Sequence, residues 1–247
     1  MIKSVAIIGN GKVGTYMARA FRRKGIKVQV YARSPKSKTE LNLSELDQDS
    51  DLCLICVADR NVAKVSTKIP AQHGILAHSS GTIALEDLDS KHEKRGIFYP
   101  LMSIAENSQV DLMEIPFCLE ATDDSVLQDL EDWAETLSLK HYRVPSHQRK
   151  RLHLAAVIGH NFSNLLYHWA YLELKKSDLP LAILKPLLKQ QVAGLESEDP
   201  IMHQTGPAVR GDFNTIEAHL KMLENPELAD LYSKISELIQ KEYEEKL

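Results

Sequence analysis

Residues 5–21 read VAIIGNGKVGTYMARAF. An apolar run over 4–8 meets the loop Gly9-Asn10-Gly11-Lys12-Val13-Gly14, and a helix-forming run over 12–24 follows until Gly25 stops it. A second strand-forming run, IKVQVYA, comes next. No other feature narrows the fold as much. A G-x-G-x-x-G loop set between a strand and a helix, with another strand after it, opens a doubly wound α/β domain that cradles a dinucleotide pyrophosphate. Gly9 supplies the tight turn, Gly11 lets backbone amides approach the pyrophosphate, and Gly14 lets the helix pack closely on the strand. The first turn of the helix then faces the phosphates.

The alternation continues. DLCLICVA reads as a third strand, apolar throughout and therefore central and parallel. RNVAKVSTKI is an amphipathic helix, and GILAHSS, GIFYP and IPFCLEA are strands. DSVLQDLEDWAETL is a helix with Asp at its start, and KHYRVP is a last strand. After Pro145 no strand-forming run remains. Helices are expected at 149–176, near 181–195, near 215–224 and at 226–245, the third with a capping box from Asn214 and Glu217. The expected architecture is α/β: a Rossmann-type doubly wound, mostly parallel sheet over 1–146, then an all-helical domain over 147–247.

A chain of 247 residues, 43% hydrophobic, can bury one large core or two modest ones. Its net charge of −4 offers no basic surplus for nucleic acid or an anionic membrane. Cys53 and Cys56 have CxxC spacing, but on a strand residues three apart point to opposite faces, so neither a metal nor a redox disulfide is expected. The stretch LHLAAVIGHNFSNLLYHWAYL is long enough to cross a bilayer, yet it carries His153, His160, Asn161, Asn164 and His168, which are costly in lipid. With no signal-like segment at the start, a soluble, cytoplasmic protein is expected.

The end of the second strand selects the dinucleotide. An NAD site places an acidic residue there for the ribose 2′-hydroxyl. Here the segment is VYARSPKSK, and Arg33, Ser34 and Lys36 can hold a 2′-phosphate instead, so NADP is expected. The third strand ends in VADRN, which puts Val57, Ala58 and Asp59 near the ribose or nicotinamide. Asp59 reads equally as the N-cap of the following helix.

Three further stretches are candidates for chemistry. On helix 149–176, taken at 100° per residue, His153, Val157, His160, Asn161, Asn164, Tyr167, His168 and Tyr171 share an arc of roughly 120°, and Leu154, Ile158, Phe162, Leu165, Leu166 and Trp169 lie elsewhere. A stripe of His, Asn and Tyr suits a helix lining a cleft, or a polar dimer seam. Its histidines are not spaced to chelate a metal. In ILAHSSGTIALEDL, His78, Ser79, Ser80 and Gly81 follow a strand's carboxyl end and suit either a substrate or nicotinamide contact or an N-capping loop. In HQTGPAVRGD, Thr205-Gly206-Pro207 turns the chain. Arg210 is then free to clamp an anionic substrate or to pair with Asp212.

GNGKVGTYMARAF, HSSGTIALEDL, HLAAVIGHNFSN and TGPAVRGD, in this order, resemble bacterial proteins that join a Rossmann-like domain to a helical domain of unknown function, described as NADP-dependent oxidoreductases. More distantly the plan is similar to pyrroline-5-carboxylate reductase, ketopantoate reductase and the β-hydroxyacid dehydrogenases, with a helical domain like that of 6-phosphogluconate dehydrogenase relatives. The resemblance implies an active site between the two domains and a homodimer built by the helical one. The apolar LPLAILKPLLKQQV agrees with such a dimer. Ketopantoate reductase and the β-hydroxyacid dehydrogenases use a lysine on the first long helix and an asparagine one turn later. Asn161 matches the asparagine, Val157 stands where the lysine would be, and His153 is the local substitute for proton transfer. The expected function is hydride transfer between NADP(H) and a small carbonyl or imine, with His153 and Asn161 catalytic and Ser80, Gly81, Asn164 and Arg210 on the substrate. The alternative is an NADP-binding sensor without turnover.

Overall fold

The computed structural model describes residues 2–35, 37, 40–71, 73–104, 110–196 and 199–244. Two compact units divide the chain, residues 1–159 and 160–247. The sequence-based boundary at 146–147 lies earlier, at the start of a long helix that carries the chain from one unit into the other.

The first unit is built on eight strands: β1 (Ser4–Ile8), β2 (Lys27–Ala32), β3 (Glu40–Asn42), β4 (Leu52–Ile55), β5 (Ile75–His78), β6 (Arg95–Pro100), β7 (Phe117–Ala121) and β8 (His141–Arg143). Their spatial order is β3-β2-β1-β4-β5-β6-β7-β8, and every neighbouring pair is parallel except β6 with β7. This is the doubly wound order, with its crevice where β1 parts β2 from β4. Ile8 is level with Tyr31 and with Ile55, Ile55 with His78, and His78 with Ile97. The loops after β1, β2, β4 and β5 therefore leave the sheet at one edge.

Both faces of the central strands are covered, which is why these strands read as continuous apolar runs. Ile7, Leu52, Leu54 and Phe98 pack on one side with Met17 and Phe21 of α1 (Lys12–Arg23). Leu130 and Trp133 join them from the helix that starts after Asp123. The Trp133 ring lies tilted against Phe21 at 5.0 Å and Phe98 at 4.9 Å, contacts each worth about 0.5–1.5 kcal/mol beyond area burial. Ile8, Cys53, Ile55, Leu76 and Ile97 pack on the other side with Ile69, Leu85 and Leu88. Cys53 and Cys56 fall in opposite clusters, and burial holds both thiols protonated, Cys56 being pushed up to about 12.

Several elements depart from the sequence reading. β3 was not expected, because three residues carry no periodicity. The helix over RNVAKVSTKI shrinks to α2 (Val62–Ser66) after a 3-10 turn at Asp59–Asn61. Asp59 does not cap it, since its carboxylate instead accepts the Thr82 hydroxyl at 2.6 Å. Next come α3 (Asp124–Thr136) and α4 (Ser146–Ala156), and then a π-helical segment at Val157–Phe162 that leads into α5 (Ser163–Lys175). The stripe assigned at a constant 100° per residue applies on either side of that segment and not across it, because i→i+5 bonding widens the turn.

The second unit continues with α6 (Lys185–Ala193), α7 (Phe213–Met222) and α8 (Pro226–Glu244). The cap of α7 is Asp212, not Asn214: its carboxylate accepts from the Thr215 amide at 3.1 Å and the Thr215 hydroxyl at 2.7 Å, so the helix starts two residues earlier. No residue of α5, α6, α7 or α8 is buried. No helix among the described residues is long and apolar enough to cross a membrane.

Candidate active site

The loop between β1 and α1 has the geometry its glycines call for. Gly9 sits at φ +120°, and a Cβ there would overlap the Cys56 carbonyl oxygen at the end of β4. A Cβ on Gly14 would overlap the Gly9 carbonyl, so that glycine is what lets α1 lie against the loop. Gly11 differs: a Cβ there meets nothing within 4 Å. Gly11 is the N-cap of α1 and offers no side chain to the first-turn amides of Lys12, Val13 and Gly14. Open space before uncapped amides fits a pyrophosphate. The Asn10 side chain does not face that space, because it donates to the Ser34 carbonyl at 3.1 Å and to Glu40 at 2.8 Å. It ties the glycine loop to the end of β2.

Beside the loop lies a cleft of about 420 Å³. Gly9, Asn10, Arg33, Ser34 and Val57, all assigned to the cofactor from the sequence, line it together. Lys36 lies outside the described residues. Tyr31 of β2 also lines the cleft, as do Asn61, Lys64 and Lys68 in and around α2, which the sequence reading missed because a five-residue helix gives little periodic signal. Gly11, Lys12, Val13, Gly14, Ala58 and Ser79 are not among the lining residues.

A second group gathers at the ends of β5 and β6. The Tyr99 hydroxyl lies 3.1 Å from His153 Nδ1, with the rings edge-on at 6.3 Å. Tyr99 is 8% exposed, and burial pushes its phenol up to about 12, so it keeps its proton. The phenol donates to Nδ1 when Nε2 carries the ring proton, and Nδ1–H donates to the phenol oxygen when Nδ1 is protonated. A Cβ on Gly81 would come within 2.6 Å of His153 Nδ1 and 2.8 Å of the Tyr99 ring. Gly81 is therefore what lets the loop after β5 close over this pair.

That loop is held from within. His78 is fully buried, and its Nδ1 accepts from the Ser80 amide at 3.1 Å. Burial, helped by the Arg149 guanidinium, pushes the imidazole down to about 4, so it is neutral. Ser80 Oγ is nearly buried and accepts from the Thr82 and Ile83 amides, both at 3.1 Å, holding the turn. Ser79 returns to β4 through the Ile55 carbonyl, at 3.1 Å from its amide and 3.3 Å from its hydroxyl. Arg149, fully buried on α4, pairs with Glu120 at 2.6 Å and donates to the Ile83 carbonyl. Ser146 adds bonds to Glu120 at 2.6 Å and from the Leu85 amide at 3.2 Å. α4 is thus stapled to the loop that Gly81 belongs to.

In the second unit Asn161, Asn164 and Arg210 are exposed. Arg210 follows the turn at Gly206, φ +113°, and its charge adds to the Thr215 hydrogen bonds that hold the Asp212 carboxyl below the usual range. Tyr99 is the residue that sequence reasoning overlooked. Its only signal was a hydroxylated aromatic at the carboxyl end of GIFYP.

Residues 115–239 match a family model described as a domain of unknown function, DUF2520. The structure of a candidate NADP oxidoreductase from Bacteroides fragilis is 33% identical, with 97% of this chain and 98% of that one covered and a TM-score of 0.87. A Thermotoga maritima protein is 22% identical, with 98% and 99% covered and a TM-score of 0.68. A Plasmodium falciparum pyrroline carboxylate reductase with NADP bound is 15% identical, with 97% and 98% covered and a TM-score of 0.64. The last two share the fold. Among curated proteins none matches this chain.

Proposed function

We propose that this chain, which belongs to the DUF2520 family, is an NADP(H)-dependent oxidoreductase acting on a small carbonyl or imine compound. One observation carries the reading: a glycine cradle open enough for a pyrophosphate belongs to the same unit as a pair of a buried tyrosine and a half-buried histidine that can carry a proton. The description of the Bacteroides relative and the NADP of the Plasmodium reductase support the cofactor class. Arg33 and Ser34 beside the cleft support NADP over NAD, and residues 31–34 include no carboxylate.

Bound there, the nicotinamide would supply or accept a hydride. The chain's own task is the proton. As the imidazolium, His153 donates Nδ1–H to the Tyr99 oxygen and gives its Nε2 proton to the substrate oxygen or nitrogen while the adjoining carbon gains the hydride, ending as the neutral imidazole; in the reverse direction Nε2 takes that proton back. Gly81 sets how closely the loop approaches this pair. The exposed amides of Asn161 and Asn164 and the guanidinium of Arg210 complete the proposal as contacts for polar substrate groups. We also assign residues 160–247 to a homodimer interface, on the strength of the apolar side chains they leave exposed.

The test is loss of NADPH absorbance with a panel of small keto acids and cyclic imines. Turnover of at least one member is expected, and His153→Ala should lower it about 10²–10⁴-fold while leaving NADPH affinity within a factor of about two. Tight NADPH binding with no oxidation across the panel would favour a sensor over an enzyme.

A further inference from the structure

Arg33 at the end of β2 and Lys64 and Lys68 from α2 and the residues just after it line one cleft. Among the described residues none of the three side chains makes a hydrogen bond or an ion pair, and no carboxylate lines the cleft with them. Glu40, which accepts from Asn10 at 2.8 Å, is not part of the lining. Lys64 lies within α2 and Lys68 two residues past its end, so two like charges are held at one cleft. Ser34 adds a hydroxyl to the lining, and Asn61 adds an amide. A cleft lined by three unpaired cations, a hydroxyl and an amide suits a compact polyanion rather than a neutral ribose.

We propose that Lys64 and Lys68 form a second wall of the clamp that selects a phosphorylated dinucleotide, closing on the adenosine 2′-phosphate opposite Arg33 and Ser34. The proposal rests on the dinucleotide reading above and adds to it that selectivity resides on α2 as well as at the end of β2. A phosphomonoester carries about −1.5 to −2 charges at neutral pH, enough to engage more than one cation at once. A ribose 2′-hydroxyl gains nothing from the two lysines.

The experiment titrates the parent protein and the double variant Lys64→Gln/Lys68→Gln with NADPH, NADH, 2′,5′-ADP and 5′-AMP, by calorimetry or fluorescence. Both lysines are on the surface, and a thermal melt checks that the variant is folded. The expected result is a loss of NADPH and 2′,5′-ADP affinity of about 10- to 100-fold, with NADH and 5′-AMP changed less than about twofold. An equal loss for NADPH and NADH would mean that the lysines grip the pyrophosphate, and it would overturn the proposal. So would an unchanged variant. A parent that binds neither dinucleotide would overturn the cofactor reading itself, an outcome distinct from binding that ignores the lysines.

Discussion

A methyl group at position 81 would come within 2.6 Å of His153 Nδ1 and within 2.8 Å of the Tyr99 ring. Neither neighbour can move freely: the tyrosine is buried in the second core cluster and the histidine is half-buried beside it. The same loop depends on His78, whose unprotonated Nδ1 receives the Ser80 amide. Unfolded, this imidazole takes up a proton near 6.5, and folded only near 4. Below about pH 6.5 the unfolded state therefore binds more protons, and stability is lost as pH falls towards 4, by on the order of 3 kcal/mol. Denaturant unfolding followed between neutral pH and pH 4 should show this decline, and His78→Gln should flatten it. An identical slope in the variant would assign the acid sensitivity to other groups.

At the scale of elements, the turn from β1 into α1 separates glycines that hold the fold from one that leaves room. Gly14 is pressed against the Gly9 carbonyl, so Gly14→Ala should destabilise the domain by about 1–3 kcal/mol through overpacking. Gly11 has no neighbour within 4 Å of a Cβ, so Gly11→Val should melt like the parent and yet lose NADPH binding. Paired melting curves and NADPH titrations of the two variants check this. A Gly11→Val protein that still binds NADPH would move the cradle elsewhere. The long helix taught a different lesson. A period of 3.6 places almost every polar residue of 153–171 on one arc, but the π-helical segment at Val157–Phe162 contains His160 and Asn161 and breaks that period.

At the scale of the whole molecule, the two units differ in how they bury apolar surface. The first has two contiguous core clusters, one on each face of its sheet. In the second, Leu187, Phe213 and Met222 are exposed at 63%, 65% and 70%, and Ala208 is the one buried apolar residue of 160–247 among those described. Soluble monomers rarely leave so much apolar surface uncovered. The expected mass by light scattering is that of a dimer. Ile183→Glu/Leu187→Glu, on a stretch where both side chains are more than half exposed, should shift it to a monomer that keeps NADPH binding. A parent protein of monomer mass at all concentrations would sink the dimer.

The alternation of apolar runs with helix-forming ones, read with the glycine loop, by itself determined the doubly wound sheet, the strand on which Cys53 and Cys56 face apart, and the places of Gly9, Arg33 and Val57 beside one cleft. These follow from local periodicity and from the steric demands of single glycines, both written in neighbouring residues. Tertiary structure decided what depends on residues far apart in the chain. It brought Tyr99 to His153 across 54 positions, withdrew Asp59 from its helix to bond Thr82, and gathered Lys64 and Lys68 into one cleft with Arg33. No local pattern encodes such meetings, because they are set by strand order and by which loops leave the sheet at the same edge.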